Sequence, residues 1–433
     1  MFLYNITRPA ARLACRVYFK KLYFSFPDRI PVDKPVMLAV NHPTPFLDPC
    51  VLAAFLPNPL YSLTRGDFFK KRLYRWLLEQ YNMIPIYRFR DGFTDLKQNA
   101  RTFQNCYKAW EEKKTIVIFS EGNCVVEKRL RPIQKGTARM AFGAWENYPD
   151  LDLYIVPVGV NHTYPDRFRE EAMYEFGEPI RVMDYKHLYE VHPVRAVNQL
   201  TAELSRRMSD LVIIIDQAED EELVEILFQV YRNNRKEPVF PLVSGSNQRL
   251  QDEKKIASIV NNMPAEEKEE LKKTVLRYHN MLNDNRLNDE AVARPDYYTP
   301  LNTLYLVLGV IPFIAGFISH IFPFLLAKYI TNKFVKDKSF YSSVLWSTGL
   351  FVFLCYYLMI LVGFMLVMNN KAYIIVSITL VVCLTGFFSV LYSEHYLKWA
   401  KSKRYARLLS EVRQQILDLR FKLISILNQS EIK

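Results

Sequence analysis

The 433-residue sequence is short of the residues from which several common sites are built. Its six cysteines (Cys15, Cys50, Cys106, Cys124, Cys355 and Cys383) are scattered without a C-x-x-C pair, and two fall inside apolar runs. That spacing excludes a disulfide framework and a zinc cluster, and it fits a reducing compartment for the soluble part. There is no H-E-x-x-H and no dense set of metal ligands, so no metal and no resident cofactor is expected. No G-x-S-x-G elbow is present, so no serine acyl-enzyme is expected. A secretory signal is also missing, because Arg8, Arg12, Arg16 and Lys20 interrupt any apolar core near the start.

Three stretches lack Asp, Glu, Lys and Arg altogether: residues 301–327, 339–370 and 372–393. Each reaches the roughly 20 residues a helix needs to cross a bilayer. The expectation is a membrane protein with a soluble body ahead of its membrane segment. The formal net charge of +12 suits a nucleic acid or an anionic membrane surface as partner. The apolar stretches favour the lipid bilayer. No nucleic-acid recognition motif accompanies the charge, so no nucleic-acid partner is expected.

Along the chain, residues 1–30 read as an amphipathic interfacial helix. Its basic residues recur every fourth position, beside Phe2, Leu3, Leu13, Val17, Tyr18, Leu22 and Tyr23. An ordinary surface helix of the soluble body is the other reading. From 31 to 216, short apolar runs at 36–40, 60–63, 83–87, 115–119 and 153–160 alternate with helical spacing at 68–81, 96–110 and 137–145. That alternation predicts an α/β domain, a mostly parallel central sheet flanked by helices. In such sheets ligands bind beyond the carboxyl ends of the strands. Residues 217–300 form a charged helical region, covering a channel or meeting a partner.

The membrane segment spans 301–397. Lys328, Lys333, Lys336 and Lys338, and then Lys398, Lys401, Lys403, Arg404 and Arg407, mark two cytoplasmic flanks. Residues 341–367 and 372–392 then make one hairpin turning at Asn369-Asn370-Lys371. Pro312, Gly316 and Pro323 suit a re-entrant 301–327, which keeps the soluble body cytoplasmic (at the inner membrane in a bacterium). A simple third span is the rival. In residues 398–433, Leu409, Val412, Ile416, Leu419, Leu423 and Ile426 alternate by three and four. That stripe serves a homodimer or packs on its own domain or the membrane.

The stretch that organises the soluble body is Asn41-His42-Pro43-Thr44-Pro45-Phe46-Leu47-Asp48-Pro49, directly after the first apolar run. A histidine at a strand's carboxyl end, with a carboxylate a few residues on, suits a general base steered by an acid. The same pair also suits a satisfied loop histidine and a helix cap. Other strand ends carry Arg88, then Ser120-Glu121-Gly122, then Asn161-His162. A base, a cation and a carboxylate with a glycine thus converge on one mouth.

These blocks resemble the glycerolipid acyltransferases that act on glycerol-3-phosphate and lysophosphatidic acid. His42 and Asp48 match the family's histidine–aspartate motif. Ile86-Tyr87-Arg88, Phe119-Ser120-Glu121-Gly122 and Val156-Pro157-Val158 match the three later blocks. Two departures stand out. Five residues separate His42 from Asp48 where the common spacing is four, as in a fungal-type branch. Asn123-Cys124 replace the hydroxyl residue and arginine usual after the glycine, and the cations come later as Lys128, Arg129 and Arg131.

The resemblance implies a membrane-bound O-acyltransferase of phospholipid biosynthesis. It would move a fatty acyl group from acyl-CoA or an acyl-carrier protein to a glycerophosphate or lysophospholipid hydroxyl. It implies His42 as base and Asp48 as its orienter. Arg88, Glu121, Gly122, Asn123, Arg131, Lys135 and Gly136 would position the acceptor. Arginine's fork suits phosphate, and the helix opening at Lys135-Gly136 offers amides to an anion. The altered residues after Gly122 keep open a lysophospholipid acyltransferase or transacylase with another headgroup. A catalytically silent lipid-binding or scaffold protein is the third reading.

Overall fold

The computed structural model describes residues 2–87, 99–235, 237–238, 240–367 and 372–429. Arg88 and the turn at 369–371 lie outside the described residues. The chain divides into two compact units. The first comprises Met1–Ile214, Val239–Gln251 and Val335–Trp346, and the second Ile215–Pro238, Asp252–Phe334 and Ser347–Lys433.

The first unit is built on one sheet. Its strands are β1 (Lys21–Ser25), β2 (Val36–Val40), β3 (Leu60–Arg65), β4 (Met83–Ile86), β5 (Thr115–Phe119), β6 (Tyr154–His162), β7 (Glu171–Phe176), β8 (Ile180–Arg181) and β9 (Val243–Ser244). The order is β4-β3-β5-β2-β6-β7-β1-β9, with β8 beside β6. Pairing is parallel except for β6 with β7 and with β8. The sheet is thus mostly parallel, as the alternation of runs predicts. β2 lies between two neighbours and is buried on both faces, which is why Val36-Met37-Leu38-Ala39-Val40 is apolar without alternation.

The helices of this unit are α1 (Phe2–Tyr18), α2 (Leu47–Phe55), α3 (Arg72–Gln80), α4 (Asn99–Glu111), α5 (Gly136–Asn147), α6 (Lys186–Val191) and α7 (Pro193–Ser209). Met37, Ala39 and Ile116 on one sheet face pack with Trp110 of α4, Phe142 of α5 and Leu200 of α7 in a single buried cluster. Trp110 is fully buried, and its indole N–H donates to the Val36 carbonyl at 3.0 Å. Truncating such a residue costs about 3–5 kcal/mol.

The helix expected over 1–30 stops at Tyr18, and 21–25 is a strand between β7 and β9. Leu22, Tyr23 and Phe24 fit a helical stripe but favour a strand buried on both faces, and here tertiary burial decides. The basic stripe of α1 is also used internally. Arg8 donates to the carbonyls of Ala54, Leu56 and Pro57, and Arg12 to that of Ala54, closing the end of α2. The exposed residues of α1 include Phe2, Ile6 and Leu13.

The second unit holds α8 (Glu221–Asn234), most of α9 (Gln248–Asn261), α10 (Ala265–Asp284), α11 (Asp289–Ala293), α12 (Pro300–Phe334), most of α13 (Tyr341–Val367), α14 (Ala372–Ala406) and α15 (Ser410–Gln429). The helices α12, α13 and α14 are long and apolar enough to cross a membrane. The re-entrant form expected for 301–327 is not observed. α12 is one 35-residue helix running through Pro312 and Pro323. Each proline removes one amide donor, a loss that helices among other helices absorb.

Within the second unit, α12 packs antiparallel on α14. Tyr392 donates to the Leu306 carbonyl at 2.7 Å, Ser389 to that of Phe313 at 3.0 Å, and Trp399 to the Thr303 hydroxyl at 2.9 Å. A Cβ at Gly316 would collide with the Thr385 carbonyl, so glycine is what permits this approach. α13 meets the pair where His320 Nε2 and the Tyr357 hydroxyl are 2.8 Å apart. In α15 the buried residues include Ile416, Leu423 and Leu427, packed with α8 and α10. Two residues of the expected stripe, Ile416 and Leu423, thus pack within the chain, while Leu409 at its start is exposed.

Candidate active site

Strand register brings the site together. Val40 of β2 lies level with Phe119 of β5 and Val158 of β6. The residues that follow each strand therefore emerge at one edge. β6 runs on past β2, its residues 158–162 held by antiparallel pairing to β7. His42 leaves β2, Glu121 leaves β5, and His162 ends β6 at this edge.

His42 is 8 % exposed, and its ring stacks on Phe119 at a centroid distance of 4.0 Å. Its amide donates to Glu121 Oε2 at 2.8 Å. Glu121 Oε2 also accepts from the Arg131 guanidinium at 3.2 Å, and Oε1 accepts from the Arg131 amide at 2.9 Å. Arg131 donates to the Asn123 carbonyl as well. Glu121 therefore ties the turn after β5 to the turn after β2. It is buried and ion-paired, and its role here is to hold backbone and Arg131 in place. Gly122 has φ +77°, a left-handed conformation that glycine adopts without a Cβ penalty. Lys135 and Gly136 stand exposed at the start of α5, which is tied to the same turn by the Gln134 amide donating to the Ser120 carbonyl at 2.8 Å. His42, Glu121, Gly122, Asn123 and Arg131 are thus assembled as one group.

Asp48 is fully buried. Its Oδ1 accepts from His162 Nε2 at 2.8 Å and from the Tyr174 hydroxyl at 2.9 Å. Its Oδ2 accepts from the Thr44 hydroxyl at 2.6 Å and the Thr44 amide at 3.2 Å. A carboxylate has about four lone-pair sites. The hydrogen bonds described at Asp48 thus run to His162, Tyr174 and Thr44.

Burial alone would raise the Asp48 carboxyl. The His162 charge and the hydrogen bonds from His162, Thr44 and Tyr174 outweigh it and hold the group below its usual value. Burial, and then the Asp48 charge, push the Tyr174 hydroxyl well up, so it stays a donor. Burial, and then Asp48, also push the Cys50 and Cys124 thiols up to about 12, which removes them as nucleophiles near neutral pH. Among the described residues no group of three or more His, Cys, Asp or Glu is placed to hold a metal ion.

One further residue reaches this edge. Ser343, in the first turn of α13, accepts from the amides of Leu47 at 3.1 Å and Phe46 at 3.3 Å, capping α2 beside Asp48. Sequence reasoning missed Ser343 and Tyr174, and it noted His162 only as a strand end.

Comparison with known proteins covers the same stretch of the chain. The model of the Acyltransferase family matches residues 21–161. Glycerol-3-phosphate O-acyltransferase 1 of Saccharomyces cerevisiae is 29 % identical over 167 residues, 36 % of this chain and 22 % of that protein. Glycerol-3-phosphate O-acyltransferase 2 of the same yeast is 31 % identical over 131 residues, 30 % of this chain and 17 % of that protein. The chain thus spans about a fifth of the length of these curated relatives. Among solved structures, the 1-acyl-sn-glycerophosphate acyltransferase PlsC of Thermotoga maritima aligns with a TM-score of 0.35 and 12 % identity, over 48 % of this chain and 79 % of that one. From β1 to the end of β6, residues 21–161 match the Acyltransferase family model and are similar to part of two glycerol-3-phosphate O-acyltransferases.

Proposed function

We propose that the chain is a membrane-bound O-acyltransferase that acylates glycerol-3-phosphate or lysophosphatidic acid. The observation that carries the reading is the convergence of His42, Glu121 and Arg131 at one carboxyl edge of a parallel sheet. In the proposed reaction the acceptor hydroxyl attacks the carbonyl of a fatty acyl thioester. Its proton passes to His42, the carbon–sulfur bond breaks, and the departing thiolate takes a proton in turn. Positioning of both substrates supplies much of the rate. The half-buried Arg131 and the exposed Lys135, with the amides opening α5, are suited to the acceptor's phosphate. Arg88 is assigned the same task from its motif. The thioester, carried by coenzyme A or a carrier protein, is the second substrate, and no resident cofactor is needed.

The three apolar helices support attachment to a membrane, and thioester supply argues for a cytoplasmic catalytic unit. The product would enter phospholipid synthesis. The test is one assay of purified protein in detergent, offering labelled oleoyl thioester with glycerol-3-phosphate, lysophosphatidate and lysophosphatidylcholine in parallel. Acylation of either of the first two supports the proposal. Acylation of lysophosphatidylcholine alone replaces it with a different headgroup, and no product with any acceptor overturns it in favour of a silent lipid-binding protein.

A further inference from the structure

The loop from Asn41 to Asp48 is clipped at both ends to the projecting tip of β6. At its start, the Asn41 side chain makes two bonds to Val160: its Nδ2 donates to the carbonyl at 2.9 Å, and its Oδ1 accepts from the amide at 2.7 Å. At its end, Asp48 accepts from His162 at 2.8 Å. His42 sits inside this clip. The Thr44 bonds to Asp48 are local and can only shape the loop upon itself. His162 and Tyr174 are donors from distant strands, 114 and 126 residues away in sequence, and they hold Asp48 against the sheet.

The His162 ring is clamped as well. It stacks on Phe19 at 6.2 Å and meets Tyr174 edge-on at 6.4 Å. Its side chain is 3 % exposed. A side chain so buried is poorly placed to meet an incoming lipid hydroxyl. Both His162 and Tyr174 lie beyond residue 161, where the family match ends. The carboxylate of the motif is thus held by groups that the motif does not contain.

We propose that His162 is a positioning residue for acyl transfer, acting through Asp48 to fix the loop that carries His42. The inference rests on the acyl-transfer reading of His42. Nε2–H donation to Asp48 Oδ1 is the function assigned, so a side chain that donates from the same place but carries no exchangeable charge should serve. Glutamine is that side chain, and leucine is not.

The experiment measures kcat, acceptor KM and thermal midpoint for the full chain in detergent. The variants are His162→Leu and His162→Gln, each in the wild-type and Asp48→Ala backgrounds. A hydrogen bond to a buried charge is worth about 10- to 100-fold in an equilibrium or rate. H162L is therefore expected to lower kcat by about that factor, with acceptor KM within about threefold. H162Q is expected to recover most of the loss. In the D48A background H162L should cost no further turnover, because the acceptor it acts through is gone. A purely structural histidine would show the same loss in both backgrounds, and that result overturns the proposal.

H162Q as inactive as His42→Ala would make His162 a proton carrier, which also overturns it. Should H162L fail to fold, H162Q and Tyr174→Phe carry the test, since each keeps its ring or volume and changes only the donor set on Oδ1. The two readings fail separately. Full activity of H42A removes the acyl-transfer reading, whereas an inactive H42A beside a fully active H162L removes this inference alone.

Discussion

Each unit contains a buried carboxylate gripped by a tyrosine, and the two differ in the nitrogen donor beside it. Asp48 of the first unit meets Tyr174 at 2.9 Å and His162 at 2.8 Å. Asp289 of the second meets Tyr278 at 2.5 Å, Arg420 Nε at 2.9 Å and Asn233 at 3.0 Å. Arg420 is a guanidinium, and the group it belongs to joins α8, α10, α11 and α15. His162 is an imidazole, and its partner sits at the carboxyl edge of the sheet. Burial of an acid is therefore no sign of chemistry by itself. The elements each donor joins separate the two: helices around Asp289, and the loop after β2 with the end of β6 around Asp48.

Breaking the cation on the structural side should give the largest stability effect. Arg420→Met leaves Asp289 buried without its partner and should cost about 3–5 kcal/mol. Thermal unfolding in detergent checks this, and turnover per folded molecule should stay as in the wild type. A tenfold fall in that turnover would erase the distinction between the two sites. The tyrosines sharpen it at smaller scale. Tyr278→Phe and Tyr174→Phe each remove a hydrogen bond to a charged group, worth about 1.5–3 kcal/mol. Y278F should lower the thermal midpoint alone, while Y174F should lower kcat too.

The pH dependence comes next. Asp48 is held below its usual value in the folded state, so its contribution is fully present above the unfolded carboxylate value of about 4 and is lost as pH falls through the folded one. Thermal midpoints of wild type and D48N should run parallel above about pH 4 and converge below it. The smallest effect is expected at Gly122, where φ is +77° and a Cβ would lie 3.3 Å from Gln134 Cγ. Gly122→Ala should cost about 1 kcal/mol, read in the same unfolding assay, with a loss of turnover through Glu121 and Arg131.

Local patterns made much of the first unit legible. The apolar runs became β2, β3, β4, β5 and β6, and the motif located His42, Glu121 and Gly122 at their ends. What stayed hidden depends on long-range pairing. β1 and β9 add to the sheet only through their parallel neighbours, and Lys21–Ser25 looks equally helical when read alone. His162 was visible as a strand end, but its bond to Asp48 follows from β6 outrunning β2, a fact of register. Arg8 and Arg12 show the same limit, since two residues of the basic stripe also close a helix of the chain's own body. In the membrane segment, composition marked the three apolar helices, yet which of them pair depends on glycines such as Gly316 that admit a close neighbour.

The most direct measurement compares purified wild type and His42→Ala in detergent, supplied with labelled oleoyl-CoA and glycerol-3-phosphate or lysophosphatidate. A general base contributes about 10²- to 10⁴-fold. The account predicts acylated product from the wild type and a loss of that order in H42A, with the thermal midpoint unchanged. Product formed by H42A at the wild-type rate would contradict it.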